Sequence, residues 1–88
     1  MTPSAAARRI RKLTGAGRVR FTAHARERMF ERDVSAAEVL YLLARASRCA
    51  AQESGCWLVS GDDAAVVVAV EANVLVVTVL RGDDDEDD

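Results

Sequence analysis

One histidine and a row of arginines are the residues of this chain best suited to proton transfer and phosphate binding. His24, Arg28 and Arg32 recur at every fourth position, so on a helix they form one polar stripe with neighbours about 6 Å apart. Histidine gives or accepts a proton near neutral pH, and the arginine fork pairs with phosphate oxygens. The stripe predicts a site for a phosphate-bearing substrate, to which Thr78 and Arg81 of the last predicted strand add donors.

Proton transfer beside a phosphate is the chemistry that these groups suit. A base or an acid moves the proton, and cations stabilise the charge that develops on the phosphate. We expect His24 to act as base or acid, and Arg28 and Arg32 to bind the phosphate. Glu31 and Tyr41 are candidates for the second acid–base group.

The same residues also fit purely structural roles. A histidine at a helix start often hydrogen-bonds a neighbouring loop or strand, and Arg28 could pair with Glu27, Glu31 or a carbonyl. Trp57 could alternatively stack on a base, as aromatic side chains do with single strands. Three large side chains are expected mainly in the core or in an interface: Met29, Tyr41 and Trp57.

Charge is segregated along the 88 residues, although the net charge is only −2. Residues 1–32 hold nine basic and two acidic residues, whereas all six residues of 83–88 are acidic. Such asymmetry predicts a polyanionic partner for the basic half. The acidic tail either competes for that basic surface or only aids solubility. The predicted nucleic-acid-binding residues are Arg8, Arg9, Arg11, Lys12, Arg18 and Arg20.

An α+β fold is predicted, with N-terminal helices packed on a small twisted antiparallel sheet. Thr22 is a good N-cap for a helix over 23–32, and Ser35 with Glu38 forms a capping box for the next helix. Runs of β-branched residues indicate the strands. The predicted strands are 56–60, 64–70 and 74–80, and residues 19–21 are predicted as a brief extended segment.

The predicted organisation is a basic helical segment (1–17), one α+β domain (18–82) and an acidic disordered tail (83–88). The first segment could lie on RNA, on a partner or on the domain itself. Because the runs 64–70 and 74–80 are apolar at nearly every position, both sheet faces should be covered. The helices cover one face, and a protein partner or a second copy of the chain covers the other.

The cysteines and the N-terminus predict a cytoplasmic protein. Residues 1–20 are Arg-rich and lack the apolar region of a signal peptide, so Cys49 and Cys56 should be reduced and serve as small buried hydrophobes. Their spacing is not that of zinc ligands, and no metal or cofactor is expected. The apolar run 64–70 is too short to cross a membrane.

The segment from Thr22 to Val39 resembles a family of small bacterial domains known only as a domain of unknown function. The shared signature is T-x-H-A-x-x-R-M-x-x-R-x-I/V-S-x-x-E/D-V, and it is followed by a hairpin ending in Val76-Val77-Thr78-Val79. The resemblance covers about residues 18–81. The family looks like a branch of the barnase–EndoU–colicin–RelE group of ribonuclease toxins, with the MqsR toxin as a neighbour.

This resemblance implies a RelE-like or barnase-like fold, single-stranded RNA as substrate and metal-independent cleavage by the RNA's own 2′-hydroxyl. That reaction needs a base for the hydroxyl proton, cations for the charged phosphorane and an acid for the leaving 5′-oxygen. The matching site positions are His24, Arg28, Arg32 and Thr78. Asp33 stands where the family commonly has Gly, which a turn would tolerate. The sheet departs from those toxins, since it offers little besides Arg81 and Thr78 where they carry Lys, Arg, Gln or Tyr.

Three functions follow from these patterns. The first is a toxin-like endoribonuclease controlled by an antitoxin. The second is a non-catalytic module or regulator that binds RNA or protein. The third is an interaction subunit that forms a homodimer through its apolar sheet.

Overall fold

The computed structural model describes residues 1–81 as three helices and five strands. The acidic segment 83–88, predicted as a disordered tail, lies outside the described residues. The elements in chain order are α1 (Pro3–Gly15), β1 (Val19–Phe21), α2 (Ala23–Glu31), α3 (Ala36–Ala44), β2 (Arg48–Ala51), β3 (Trp57–Ser60), β4 (Ala64–Val70) and β5 (Val74–Arg81).

The strands form one sheet in the order β1-β5-β4-β3-β2. Strands β3 to β5 pair antiparallel as predicted, and β4 and β5 form the expected hairpin. Strand β2 also pairs antiparallel, with β3. The short β1 adds to the edge of β5 in parallel, so the sheet is mixed. The α+β class is confirmed. Strand β2 was not predicted, and the parallel pairing of β1 is a second feature that the antiparallel prediction lacked.

One face of the sheet carries the core. Val59, Val66, Val68, Val76 and Val79 are fully buried there, as expected for alternate residues of paired strands. All three helices contribute to the same cluster. Their buried residues include Ala6, Ile10, Leu13, Ala25, Val39 and Leu43. The predicted core positions of Met29 and Trp57 are confirmed, since Met29 packs against the cluster and Trp57 belongs to it.

The basic helix α1 lies on the domain itself, which was one of its three predicted locations. Its Ala6, Ile10 and Leu13 join the core, and it contacts α3 and β2. Its basic side also binds the domain: Arg9 donates to the carbonyl of Glu71 at 3.0 Å, and Arg11 donates to that of Ala46.

The opposite face of the sheet, here called the outer face, is mainly apolar and half-buried over strands β3 to β5, whereas its edge strands carry exposed arginines. None of its residues packs against the core cluster in the described part of the chain. Leu75 is its most exposed large apolar side chain, at 36%. Over strands β3 to β5 the outer face comprises Leu58, Ser60, Ala65, Val67, Ala69, Leu75, Thr78 and Leu80. The edge strands add Arg20, Arg48 and Ala50 to this face. The expected cover of this face by a protein partner or a second copy stays a prediction.

A β-bulge changes which residues of β5 face the core. Val68 pairs with Val76 but Val67 pairs with Thr78, which leaves Val77 as the extra residue. An extra residue shifts the alternation of side chains by one position. Val76 and Val79 are therefore both buried, and Thr78 lies on the outer face.

The predicted helix starts are confirmed in atomic detail. Thr22 Oγ1 accepts from the backbone N–H of Ala25 at 3.0 Å, so it caps α2. Ser35 and Glu38 form the predicted capping box: Ser35 Oγ accepts from Glu38 N at 3.0 Å, and Glu38 Oε1 accepts from Ser35 N at 3.1 Å. These bonds satisfy amides that the first helical turn leaves without partners.

Helix α2 ends in a Schellman turn that explains the position of Asp33. Val34 N donates to the carbonyl of Met29 at 2.8 Å, and Asp33 N donates to that of Phe30 at 3.3 Å. Between them Asp33 has φ 56°, the left-handed conformation that favours Gly at this position. Asp33, which stands where the family commonly has Gly, therefore lies in a turn as expected. Asp is among the residues that tolerate this conformation.

We expect Asp33→Val to lower the free energy of unfolding by about 1–2 kcal/mol, because a β-branched residue is strained at positive φ. Asp33→Gly is expected to leave that free energy unchanged or to raise it by up to about 1 kcal/mol. Urea denaturation of the two variants beside the wild type measures the difference. Equal stability of the Val and Gly variants would contradict the assignment of strain to this turn.

Candidate functional site

Helix α2 lies along the free edge of β5, beyond the end of β1. Thr22 N donates to the carbonyl of Val76 at 3.0 Å, and Thr22 Oγ1 donates to that of Val77 at 3.2 Å. Further along the helix, Arg32 Nε donates to the carbonyl of Val79 at 3.1 Å. These bonds satisfy carbonyls of β5 at and beyond the end of its pairing with β1, and they fix the rotation of α2.

Arg81 ties the other end of α2 to the last strand. Its Nε donates to the carbonyl of Arg32 at 3.0 Å, and its Nη2 donates to that of Asp33 at 2.9 Å. The guanidinium also lies 3.7 Å from Glu38 Oε2. A cation at the C-terminus of a helix satisfies its last carbonyls and complements its dipole. Arg32 and Arg81 thus hold α2 against β5.

Three residues on the exposed flank of α2 are linked through Arg28, which contacts the other two. We call them the His24–Arg28–Glu31 cluster. Arg28 Nη1 donates to Glu31 Oε1 at 2.6 Å. Arg28 Nε–H points toward His24 Nε2 at 3.5 Å, the limit for a hydrogen bond. The Arg28 and Glu31 side chains are 38% and 53% exposed, so the cluster is open to a ligand. The spacing of His24 and Arg28 predicted their contact. Of the three partners that the sequence left open for Arg28, namely Glu27, Glu31 or a carbonyl, the structure has Glu31.

The cluster contains each type of group that RNA transesterification requires. An exposed carboxylate can accept the 2′-hydroxyl proton, an imidazole can exchange a proton with the leaving oxygen, and the guanidinium between them can bind the phosphate. All three stand on one helix of a packed core, at positions i, i+4 and i+7. Sequence reasoning named Glu31 only as one candidate, because its geometry depends on which rotamer Arg28 adopts.

The five predicted catalytic residues divide into three places. His24 and Arg28 lie together on the exposed flank of α2. Arg32 and Arg81 lie at the end of this helix, where they bind carbonyls. Thr78 lies on the outer face of the sheet, and in the described part of the chain no hydrogen bond joins it to His24 or Arg28.

The predicted nucleic-acid-binding residues are all exposed. They comprise Arg8, Arg9, Arg11, Lys12, Arg18 and Arg20. Two of them, Arg9 and Arg11, also hold α1 on the domain through backbone carbonyls. Over residues 1–81 there are twelve basic and eight acidic residues, so the described part of the protein is cationic.

A family described as a domain of unknown function (DUF4258) matches residues 21–81. The chain belongs to this family. No curated protein and no solved structure matches it. The description names no activity, so the resemblance of this DUF4258 domain to ribonuclease toxins remains a prediction.

The DUF4258 match begins at Phe21 and ends at Arg81, so it includes the cluster and both arginines that hold α2. In this segment the fold itself accounts for most of the signature: Thr22 caps α2, Ala25 and Met29 pack inward, and Arg32 binds β5. The remaining signature residues, His24 and Arg28, have side chains that bind no other element within the described residues. Their exposure distinguishes them as candidates for function.

Two surface depressions of this DUF4258 domain were not predicted. One of about 570 Å³ lies between α3 and the β3–β4 turn, where Arg45 stacks over the exposed Tyr41 ring at 5.2 Å. Tyr41 is therefore not a core residue. The other, of about 560 Å³, lies on α2 beside Phe30 and is partly lined by Glu31. Only the second borders the cluster, so we place the candidate site there.

The cysteines and metal-ligand types add no second site among the described residues. Cys49 and Cys56 are free thiols. Burial raises the pKa of the Cys49 thiol, and the nearby Arg11 guanidinium opposes this shift, so Cys49 is mainly the unreactive thiol at neutral pH. No three His, Cys, Asp or Glu side chains in residues 1–81 are grouped to hold a metal ion. None of the described helices has the length and apolar character to cross a membrane.

Proposed function

We propose that this DUF4258 domain is a toxin-like endoribonuclease that cleaves single-stranded RNA without a metal ion. The observation that carries the proposal is the His24–Arg28–Glu31 cluster, in which one guanidinium contacts both an imidazole and a carboxylate on an exposed helix flank. The cationic surface of residues 1–81 supports RNA as the substrate, because phosphate contacts dominate nucleic-acid affinity.

In the proposed reaction the 2′-oxygen forms a bond to phosphorus while the bond from phosphorus to the 5′-oxygen breaks. Glu31 accepts the proton of the 2′-hydroxyl. His24, whose Nε2 is released when Arg28 turns to the phosphate, donates a proton in its imidazolium form to the leaving 5′-oxygen. Arg28 leaves its ion pair with Glu31 to bind the phosphate as negative charge develops there. The products are a 2′,3′-cyclic phosphate and a 5′-hydroxyl end.

The other predicted site residues take supporting roles in this proposal. Arg32 and Arg81 position α2 on β5, and Thr78 belongs to the outer face rather than to the site. The exposed basic residues of α1 and β1 attract the RNA strand. We propose a cytoplasmic location, where RNA is available, and an antitoxin that covers the cluster when activity is not required.

The proposal is tested by incubating the purified full chain with a mixed single-stranded RNA in the presence of a chelator. We expect cleavage products with cyclic phosphate and 5′-hydroxyl ends. A matched RNA with 2′-deoxyribose at the cleaved position is the control and is expected to stay intact, since it lacks the attacking hydroxyl. No cleavage of the normal RNA, or equal cleavage of both substrates, would contradict the proposed reaction.

The outcomes also separate the alternative functions. Binding of RNA that weakens with salt, without any cleavage, would favour a non-catalytic binding module. The observation that supports a binding module is that two predicted catalytic residues, Arg32 and Arg81, bind backbone carbonyls and hold α2 on β5. A stable dimer without affinity for RNA would favour an interaction subunit, for which the apolar outer face is the supporting observation.

A further inference from the structure

An exposed aromatic ring stands beside the proposed site. Phe30 on α2 is 88% exposed, whereas the chain's other phenylalanine, Phe21, packs against the core. The neighbouring Met29 also packs inward. The fold therefore uses the apolar residues around Phe30 but leaves its own ring in water, so the core gives no reason for an aromatic residue at this position.

The surroundings of Phe30 combine a cation with the proposed catalytic carboxylate. The depression beside the ring is lined by Ala23, Arg26, Glu27, Phe30 and Glu31. Arg26 precedes Phe30 by one helical turn, so their side chains are neighbours on the helix surface. Glu31 also belongs to the His24–Arg28–Glu31 cluster. The ring and the proposed site thus share one surface.

The composition of this depression favours a nucleobase over a protein as its occupant. Phe30 is the only large apolar side chain lining it, whereas a protein interface needs a contiguous apolar patch around its anchor residues. A base needs one open ring face, and every base can stack on it. Arg26 beside the ring matches the phosphate that each nucleotide carries.

We infer that Phe30 is a stacking platform for one base of the RNA strand beside the proposed cleavage site, with Arg26 binding an adjacent phosphate. This inference rests on the proposed function and names how the same site grips its substrate. Phe30 is a binding residue in this scheme and takes no part in proton transfer.

A tryptophan at the platform provides a direct probe of stacking. The chain has one tryptophan, Trp57, and it is buried, so Phe30→Trp adds a single exposed reporter. The ligand is a 2′-O-methyl RNA oligonucleotide, which cannot be cleaved through its 2′-oxygen, and the control is an abasic strand of equal length and charge. We expect the base-containing strand to quench the new tryptophan and the abasic strand to leave it unchanged. The wild type reports the background from Trp57.

Affinity measurements test the energetic role of the ring. Phe30→Ala is expected to weaken binding of the base-containing strand by about 5- to 150-fold, while its affinity for the abasic strand stays that of the wild type. Phe30→Leu, which keeps an apolar side chain without an aromatic face, should resemble Phe30→Ala. Because Phe30 is exposed, both variants should fold, and urea denaturation checks this.

Equal quenching by both strands, or unchanged affinity after Phe30→Ala, would overturn the platform. If such a protein still cleaves RNA, the proposed function stands and Phe30 belongs to another partner, such as a protein. If the oligonucleotide stacks on Phe30 but the wild type never cleaves RNA, the platform stands and the catalytic proposal fails.

Discussion

Replacing His24 by alanine is expected to slow RNA cleavage by about 10²–10⁴-fold, the usual contribution of one positioned acid–base group. His24 is exposed, and within the described residues the hydrogen bond of its side chain is with Arg28, at 3.5 Å. Its removal should therefore leave the stability of the fold unchanged. Single-turnover cleavage rates in the presence of a chelator, beside urea denaturation curves, measure both quantities.

Companion variants separate proton transfer from charge. Glu31→Gln keeps the shape of the side chain but removes its basic carboxylate, so its rate should fall within the same range as that of His24→Ala. Glu53→Gln, an equal charge change in the exposed loop between β2 and β3, is the matched control and should cleave at the wild-type rate. In a protein that carries both His24→Ala and Glu31→Gln, the fold-loss in cleavage rate should not exceed the product of the fold-losses of the two single variants.

Retained cleavage by a folded His24→Ala protein would remove His24 from the mechanism. A loss of cleavage that is accompanied by a loss of stability would instead assign His24 a structural role. Because the histidine is unique in this chain, no other imidazole can substitute for it, and the result is direct.

The part of the site that lies within one helix could be predicted from the sequence. The spacing of His24 and Arg28 requires them to be neighbours once the helix forms, and Thr22 marks the start of that helix. The choice of Glu31 as partner of Arg28 could not be predicted, because Glu27 or a backbone carbonyl satisfies the same guanidinium equally well on spacing alone. Side-chain geometry decides it.

The part of the site that crosses from helix to strand could not be predicted. The polar stripe on α2 includes Arg32, and nothing local shows that its guanidinium meets a strand carbonyl 47 positions away. Arg81 was expected to face the site, but it binds the carbonyls at the end of α2. Both outcomes depend on how α2 is placed along the edge of β5, which is a tertiary feature.

The position of Thr78 shows a different limit. Simple alternation puts Val74, Val76 and Thr78 on one face of β5. The bulge at Val77 shifts the alternation, so Thr78 turns to the outer face and Val79 to the core. A bulge without glycine has no reliable sequence signal in a run of valines, because every residue there suits a strand equally well.

Strand β2 was missed for a related reason. Its sequence Arg48-Cys49-Ala50-Ala51 has none of the β-branched and aromatic residues that mark strands, and pairing with the stronger β3 creates it. The parallel position of β1 likewise follows from the packing of α2 against β5. By contrast, the capping box at Ser35 and the hairpin of β4 and β5 rest on local patterns, and both were predicted.

Ile10→Ala is expected to lower the free energy of unfolding by about 2–5 kcal/mol, the usual loss for a large aliphatic side chain in a core. Ile10 is fully buried, and its helix contacts α3 and the sheet. A domain of this size has a total stability of roughly 5–15 kcal/mol, so the change removes a large share of it. Urea denaturation followed by the fluorescence of buried Trp57 measures the loss.

The matched control lies two positions earlier on the same helix. Arg8→Ala keeps helix propensity high and changes an exposed side chain, so its unfolding curve should stay near that of the wild type. If both Ile10→Ala and Arg8→Ala unfold at the same urea concentration as the wild type, α1 is a detachable arm. Loss of stability in the Ile10 variant alone would mean that it is part of the folding unit.

This distinction bears on function, because the family match begins only at Phe21 and RNA was one of the three predicted locations for the basic segment that forms α1. If α1 completes the core, a protein shortened to the family match exposes the apolar surface that Ala6, Ile10 and Leu13 now cover, and it should unfold. Loss of RNA cleavage in such a shortened protein then reports lost folding, not lost contacts to RNA. The role of α1 in binding must be tested with Arg8 and Lys12 in the full chain, where the core that positions α2 and its cluster stays intact.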